Sequence, residues 1–161
     1  MTTTQVKFRK LMGRFATGIT VIALENTDHQ VKAMTANAVT AVSLDPMLLL
    51  CCIRNESGLL PSLLSLGRFS VNILSAGQDE ICRHYGGQQQ PVSPAIWESV
   101  NGIPLLAGAN ASFMCTVHST YKAGDHTVVF GAVENMTAIE EPAPALVFAA
   151  GRYHDIALSV Q

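Results

Sequence analysis

Charge and aromatic rings are both scarce in this 161-residue chain, at 14% and 6% of residues. The formal net charge is −2 and no basic block occurs, so the electrostatic footprint of a nucleic-acid binder is missing. The longest apolar runs, such as Met47 to Ile53, fall far short of the roughly 20 residues a membrane helix needs. The first residues, Met1 to Lys10, are polar and lack the apolar core of a signal peptide, so a cytoplasmic location is expected.

The signatures of several common enzyme classes are also absent. The chain has no G-x-G-x-x-G after a strand, no P-loop, no H-E-x-x-H and no G-x-S-x-G. A Rossmann dinucleotide domain is therefore not expected. The histidines (His29, His84, His118, His126 and His154) are scattered, and no pair has the spacing of a helical metal site. None of Cys51, Cys52, Cys82 and Cys115 forms C-x-x-C or has a zinc-finger histidine partner. Adjacent residues on a strand face opposite ways, so a Cys51–Cys52 disulfide is disfavoured and buried, reduced thiols are expected.

What is present is a core-rich composition, 48% hydrophobic, without repeat, linker or low-complexity tract. It predicts one domain spanning 1–161 with a sizeable core. Val6, Phe8, Leu11, Met12 and Phe15 fall near helical spacing behind a threonine run, predicting a helix from about Thr4 to Phe15. Strands are expected at Ile19–Glu25, Val31–Thr35, Val39–Ser43, Leu48–Ile53 and Phe69–Leu74, with a turn at Asn26–His29. Ser57 is a candidate N-cap for a helix over Leu59–Leu66, and Ser75 for one over Ala76–Tyr85 that Gly86 and Gly87 end. Gln88 to Pro94 is expected to be a surface loop. The last third is mostly β, at Ala111–Tyr121, Thr127–Glu134, Leu146–Ala149 and Tyr153–Ala157, which points to an antiparallel barrel.

Three polar clusters interrupt the apolar strands. In Met34-Thr35-Ala36-Asn37-Ala38, small residues flank a threonine and an asparagine. A planar ligand could approach that backbone and bond its edge atoms there. The residues alone favour a plainer turn with local side-chain bonds. Arg54-Asn55-Glu56-Ser57 follows a strand and precedes a helix, so a guanidinium, a hydroxyl and helix-start N–H groups could hold a phosphate. An ordinary helix cap with a solvated arginine explains the same residues. In Gly124-Asp125-His126, a histidine follows a hairpin turn, either over a neighbouring pocket or simply on the surface.

The joint order of these pieces resembles the flavin reductase-like family. Carrying the resemblance are Phe8-Arg9, Met12-Gly13-Arg14-Phe15-Ala16-Thr17-Gly18-Ile19-Thr20-Val21, the Met34–Ala38 cluster and Val42-Ser43-Leu44-Asp45-Pro46. So do Phe69-Ser70-Val71-Asn72-Ile73-Leu74-Ser75, Gly124-Asp125-His126, Phe130-Gly131-Ala132-Val133 and Gly151-Arg152-Tyr153. The match runs from about Phe8 to Ile156. Departures at Ala33, Met47 and Tyr85-Gly86-Gly87 touch the pocket rim and bear on substrate preference rather than fold.

The resemblance implies a mainly β fold with peripheral helices, a six-stranded Greek-key FMN-binding split barrel, built as a homodimer with flavin near the interface. It implies hydride transfer from NADH or NADPH to FMN or FAD, in a reductase that supplies reduced flavin to a partner monooxygenase. Thr35, Ala36, Asn37 and Ser43 would face the flavin, with Cys52, Arg54 and Ser57 along its ribityl and phosphate side. His126 would sit by the nicotinamide, with Arg14 and Tyr153 on the nicotinamide-nucleotide side. The competing readings are a flavoprotein that reduces a corrinoid or ferric complex, and a flavin- or haem-binding split barrel without turnover. An intact Gly124-Asp125-His126 favours the enzymes.

Overall fold

The computed structural model of the protein describes residues 1–88 and 95–158. Its elements in chain order are α1 (Thr3–Met12), β1 (Thr17–Gly18), β2 (Thr20–Glu25), β3 (Val31–Ala36), β4 (Val39–Leu44) and β5 (Met47–Arg54). Then come α2 (Leu59–Leu66), β6 (Arg68–Ile73), α3 (Asp79–Tyr85), β7 (Trp97–Val100) and β8 (Ile103–Leu106). The chain closes with β9 (Ala111–Ala123), β10 (His126–Ala138), β11 (Ala145–Ala149) and β12 (Arg152–Ile156). The expected loop at Gln88–Pro94 lies almost wholly outside the described residues.

One antiparallel sheet of seven strands, in the order β3-β2-β6-β9-β10-β5-β4, forms the body. That is one strand more than the six the resemblance implies. β1, β11 and β12 form a smaller sheet, and β7–β8 a hairpin. The strands nearest in sequence to the middle of the polar cluster, β3 and β4, stand at opposite ends of the main sheet's order, so the turn between them bridges its two edges.

The two larger apolar clusters among the described residues use the two faces of the strands. Ile22, Leu24, Leu49, Cys51, Ile53, Phe69, Val71 and Val129 pack with Leu59, Leu60 and Leu63 of α2. Ile19, Val21, Leu74, Leu106 and Leu146 pack with Cys82 of α3 on the other side. The period of two in β2 sends Val21 and Ile22 to different cores, which is why that strand is buried from Thr20 to Leu24. Asn72 is a buried polar fastener. Its Nδ2 donates to the Val21 carbonyl at 3.0 Å, and its Oδ1 accepts from the Leu106 N–H at 3.0 Å and the Ser112 hydroxyl at 2.8 Å. The β7–β8 hairpin is thereby held on β6 and β9.

Several local expectations are corrected. α1 ends at Met12, with Thr2 as N-cap in a capping box with Gln5, and none of its residues is buried in the protomer. Ser57 is not the N-cap of α2; Gly58 is, although the Ser57 hydroxyl accepts from the Leu59 N–H at 3.3 Å. Ser75 does not cap α3. Its hydroxyl donates to the Gly108 carbonyl at 2.8 Å, and Ala76-Gly77 form a turn before the helix, which starts at Asp79. All four cysteines are free.

Candidate functional site

β5 sets the centre of the site. Its alternating burial turns Leu49, Cys51 and Ile53 inward, and Cys52 lies half-buried on the opposite face from Cys51. β10 runs antiparallel beside it, with Val128 opposite Cys52 and His126 opposite Arg54. Arg54 is exposed and, among the described residues, forms no ion pair. His126 Nδ1 lies 2.7 Å from Asp125 Oδ1. That hydrogen bond, together with the His126 charge, holds the Asp125 carboxyl below its ordinary range, and Arg54 adds a smaller pull the same way. An ionised Asp125 accepts only, so His126 Nδ1 carries the hydrogen and Nε2 is the ring nitrogen left for a ligand.

Asn55 follows Arg54 and joins this ladder end to the hairpin beyond it. Its backbone N–H donates to the Asp125 carbonyl at 3.0 Å. Its Nδ2 donates to the Gly124 carbonyl at 3.1 Å, and its Oδ1 accepts from the Thr127 hydroxyl at 2.8 Å. The Gly124-Asp125 turn has its left-handed residue first, at φ +63° for Gly124, the glycine-first pattern of a two-residue hairpin.

The β3–β4 turn closes on the same end of β5. The Cys52 N–H donates to the Ala38 carbonyl at 3.0 Å. Ala36 is buried, and its carbonyl accepts from the Thr20 hydroxyl at 2.7 Å. Asn37 is exposed, and its Nδ2 donates to Thr17 Oγ1 at 3.2 Å. The Ser57 hydroxyl lies 3.5 Å from Met34 Sδ, tying the start of α2 to β3. Ser43 is half-buried farther along β4, about 13 Å of extended chain beyond Val39. Ala36, Asn37, Cys52, Arg54, Ser57 and His126 are thus brought together, with Ser43 down one side. Thr35 is placed differently. Its hydroxyl donates to the Cys82 carbonyl at 2.7 Å, so its proton is committed to α3 and it can only accept from a ligand.

Tyr153 and Arg14 form a second group. The Tyr153 ring tilts against Phe148 at 5.4 Å between centroids, with the Arg83 guanidinium 4.5 Å from the Tyr153 ring centre. Burial first, and then its contact with Cys82, push the Tyr153 phenol up to about 12. Arg14 is exposed just past α1, where the Ala150 N–H donates to the Gly13 carbonyl at 2.6 Å and draws that exit against the β11–β12 turn. The Thr35–Cys82 bond links this group to the first. Among the described residues no three His, Cys, Asp or Glu side chains are placed to hold a metal ion.

The flavin reductase like domain matches residues 12–157. The chain belongs to the flavin reductase-like family. An NADH-dependent FAD reductase of Streptomyces globisporus is 35% identical over 161 residues, covering 95% of this chain and 86% of its own. The reductase component of a 4-hydroxyphenylacetate 3-monooxygenase of Thermus thermophilus is 33% identical, covering 89% of this chain and 92% of its own. The solved structure of the flavin reductase PheA2 superposes with a TM-score of 0.89 at 35% identity, covering 98% of this chain and all of the other. The expected split-barrel fold and the expected flavin-reducing oxidoreductase are therefore borne out.

The residues present suit the two cofactors such a reaction uses. An exposed guanidinium, without an ion pair among the described residues, beside a hydroxyl at a helix start is a donor set for a phosphate. Asn37, exposed beside the buried Ala36, can offer its amide to a ring edge. Two features of the site escaped sequence reading. Asn55 lies inside a cluster already singled out, but its side-chain partners are 69 and 72 residues away, so no local signal announces them. Arg83 sits on a correctly expected helix, but the face it shares with Tyr153 depends on how α3 docks.

Proposed function

We propose that this flavin reductase uses NADH to reduce FAD, works as a homodimer in the cytoplasm, and hands its reduced flavin to a separate monooxygenase. The observation that carries the site assignment is the β5–β10 register. It sets the exposed Arg54 guanidinium and an Asp125-held imidazole on neighbouring strands, at the end where the β3–β4 turn also arrives. The named activities of the Streptomyces and Thermus relatives support NADH, FAD and the oxygenase partner. Four free cysteines suit a reducing compartment. Among the described residues no helix is long and apolar enough to cross a membrane.

Hydride transfer from nicotinamide to flavin is chemistry the cofactors supply when bound. What the chain does is bind, align and exclude. Arg54 and Ser57 hold the phosphate side, Ala36 and Asn37 line the ring edge, and Ser43 and Cys52 flank the long axis. His126 steadies the nicotinamide through Nε2. Alignment at near-attack distance is the main contribution asked of the protein, so the site needs no acid–base pair.

The test is NADH consumption with and without added flavin. A rate that depends on added FAD, with kcat/KM higher for FAD than for FMN and for NADH than for NADPH, is the expected result. Full activity without added flavin would instead mean a tightly held flavin serving some other acceptor.

A further inference from the structure

We propose that Asn55 is a positioning residue that sets the nicotinamide affinity of the site by fixing the hairpin tip that carries His126. This rests on the assignment of His126 to the nicotinamide.

Asn55 is exposed, yet all three of its bonding groups described above go to one short segment, Gly124 to Thr127. The two carbonyls it caps, of Gly124 and Asp125, are those of the turn itself. The hydroxyl it accepts from belongs to Thr127, the first buried residue after the turn. The bonds therefore bracket Asp125 and His126 from both sides. Without them the tip is an exposed two-residue turn holding a half-exposed imidazole through an exposed carboxylate.

The position of Asn55 in the chain matters as much as its bonds. It follows Arg54, so the segment assigned to the flavin phosphate and the segment assigned to the nicotinamide share one rigid joint. An asparagine is suited to this joint because its amide donates and accepts at once. Alanine removes both side-chain bonds and leaves only the backbone bond to Asp125.

The expected signature is a selective one. Loss of two neutral hydrogen bonds at the tip should weaken NAD⁺ binding roughly tenfold. Flavin affinity should stay within about twofold, because Arg54 and Ser57 are untouched.

Calorimetric titration of NAD⁺ into protein saturated with oxidised FAD, beside FAD titration by fluorescence, tests this. The variants are Asn55→Ala, Thr127→Val, His126→Ala and the Asn55→Ala/His126→Ala pair. Asn55→Ala should lose NAD⁺ affinity, Thr127→Val should lose less in the same direction, and Asn55→Ala should add nothing once His126 is alanine. Should Asn55→Ala fail to fold, Thr127→Val decides alone. An equal loss of FAD and NAD⁺ affinity would overturn the proposal by placing Asn55 in the phosphate site. Additive losses in the double variant would also overturn it. Wild-type NAD⁺ affinity in Asn55→Ala, with His126→Ala weakened, overturns this proposal alone. Wild-type affinity in His126→Ala removes the His126 assignment and this proposal with it.

Discussion

Arg54 and His126 stand directly opposite one another at the last register of the β5–β10 ladder, although 72 residues separate them in the chain. In the proposed function one strand end thereby serves two cofactors. The arginine ends a strand that the core holds rigid through Leu49, Cys51 and Ile53. The histidine begins a strand whose alternate residues Thr127 and Val129 are buried. Both side chains adjoin a buried residue, Ile53 for Arg54 and Thr127 for His126, which fixes their place without burying them.

Arg54→Ala should lower flavin affinity without slowing hydride transfer once flavin saturates. A charge-assisted phosphate contact is worth roughly 1.5–3 kcal/mol, or about ten- to a hundredfold in Kd. The loss is uniform binding, so it belongs in the flavin KM and not in kcat. Unchanged flavin affinity in a fluorescence titration would remove Arg54 from the site.

Gly131→Ala should destabilise the fold while leaving the site chemistry alone. A Cβ at Gly131 would lie 2.7 Å from Phe69 Cζ and 3.2 Å from Cys115 Cβ. Phe69 and Cys115 are both fully buried, so neither has room to yield. Overpacking of this kind costs roughly 1–3 kcal/mol. A thermal melt equal to wild type would show that the ring finds space.

How much of this was legible in the sequence depends on the range of the interaction. Strands with a clean apolar pattern, such as β5 and β6, were expected within a residue or so of where they lie. The β7–β8 hairpin has only one local signal in the sequence, Asn101-Gly102, which adopt the left-handed angles of a tight hairpin turn at φ +52° and +74°. Its second strand, Ile103-Pro104-Leu105-Leu106, is buried throughout, so no alternation marks it. Ser75 had the right chemistry for a helix cap, but the Gly108 carbonyl from a distant loop claims its hydroxyl. The Arg54–His126 pairing was beyond local reasoning altogether, because register between remote strands is set by the whole sheet.

The cysteines should divide by burial. Burial pushes the thiols of Cys51 and Cys115 up to about 12, and Cys82 is also buried and raised. A thiol reagent at neutral pH should therefore modify Cys52 first in the native protein, and bound FAD should slow it. The raised thiols also set an alkaline limit. In the unfolded chain Cys51 and Cys115 ionise near 9, but in the native protein they keep their protons to about 12. Over that window the native state binds more protons, so stability is whole below pH 9 and falls as pH rises towards 12. Denaturant midpoints across that range should decline less in a Cys51→Ala/Cys115→Ala variant than in wild type. Parallel curves would remove these thiols as the cause.

Helix α1 leads to the last prediction, which concerns assembly. Its capping box and basic last turn make it a well-formed helix, yet the protomer buries none of it. Phe8 is 67% exposed, and Phe15 just beyond the helix is 70% exposed. Val6, Leu11 and Met12 add to the same apolar segment. On the β4–β5 turn, Leu44 is 89% exposed and Met47 43%. A ten-residue helix has little stability in water without an apolar surface to lie on. Among the described residues nothing buries α1, and the prediction is that a second copy of the chain covers it through a two-fold contact. Wild-type protein should sediment as a dimer at micromolar concentration, and a Phe8→Glu/Phe15→Glu variant should shift towards monomer and lose helical signal. A wild-type monomer that still binds flavin would rule out this assembly.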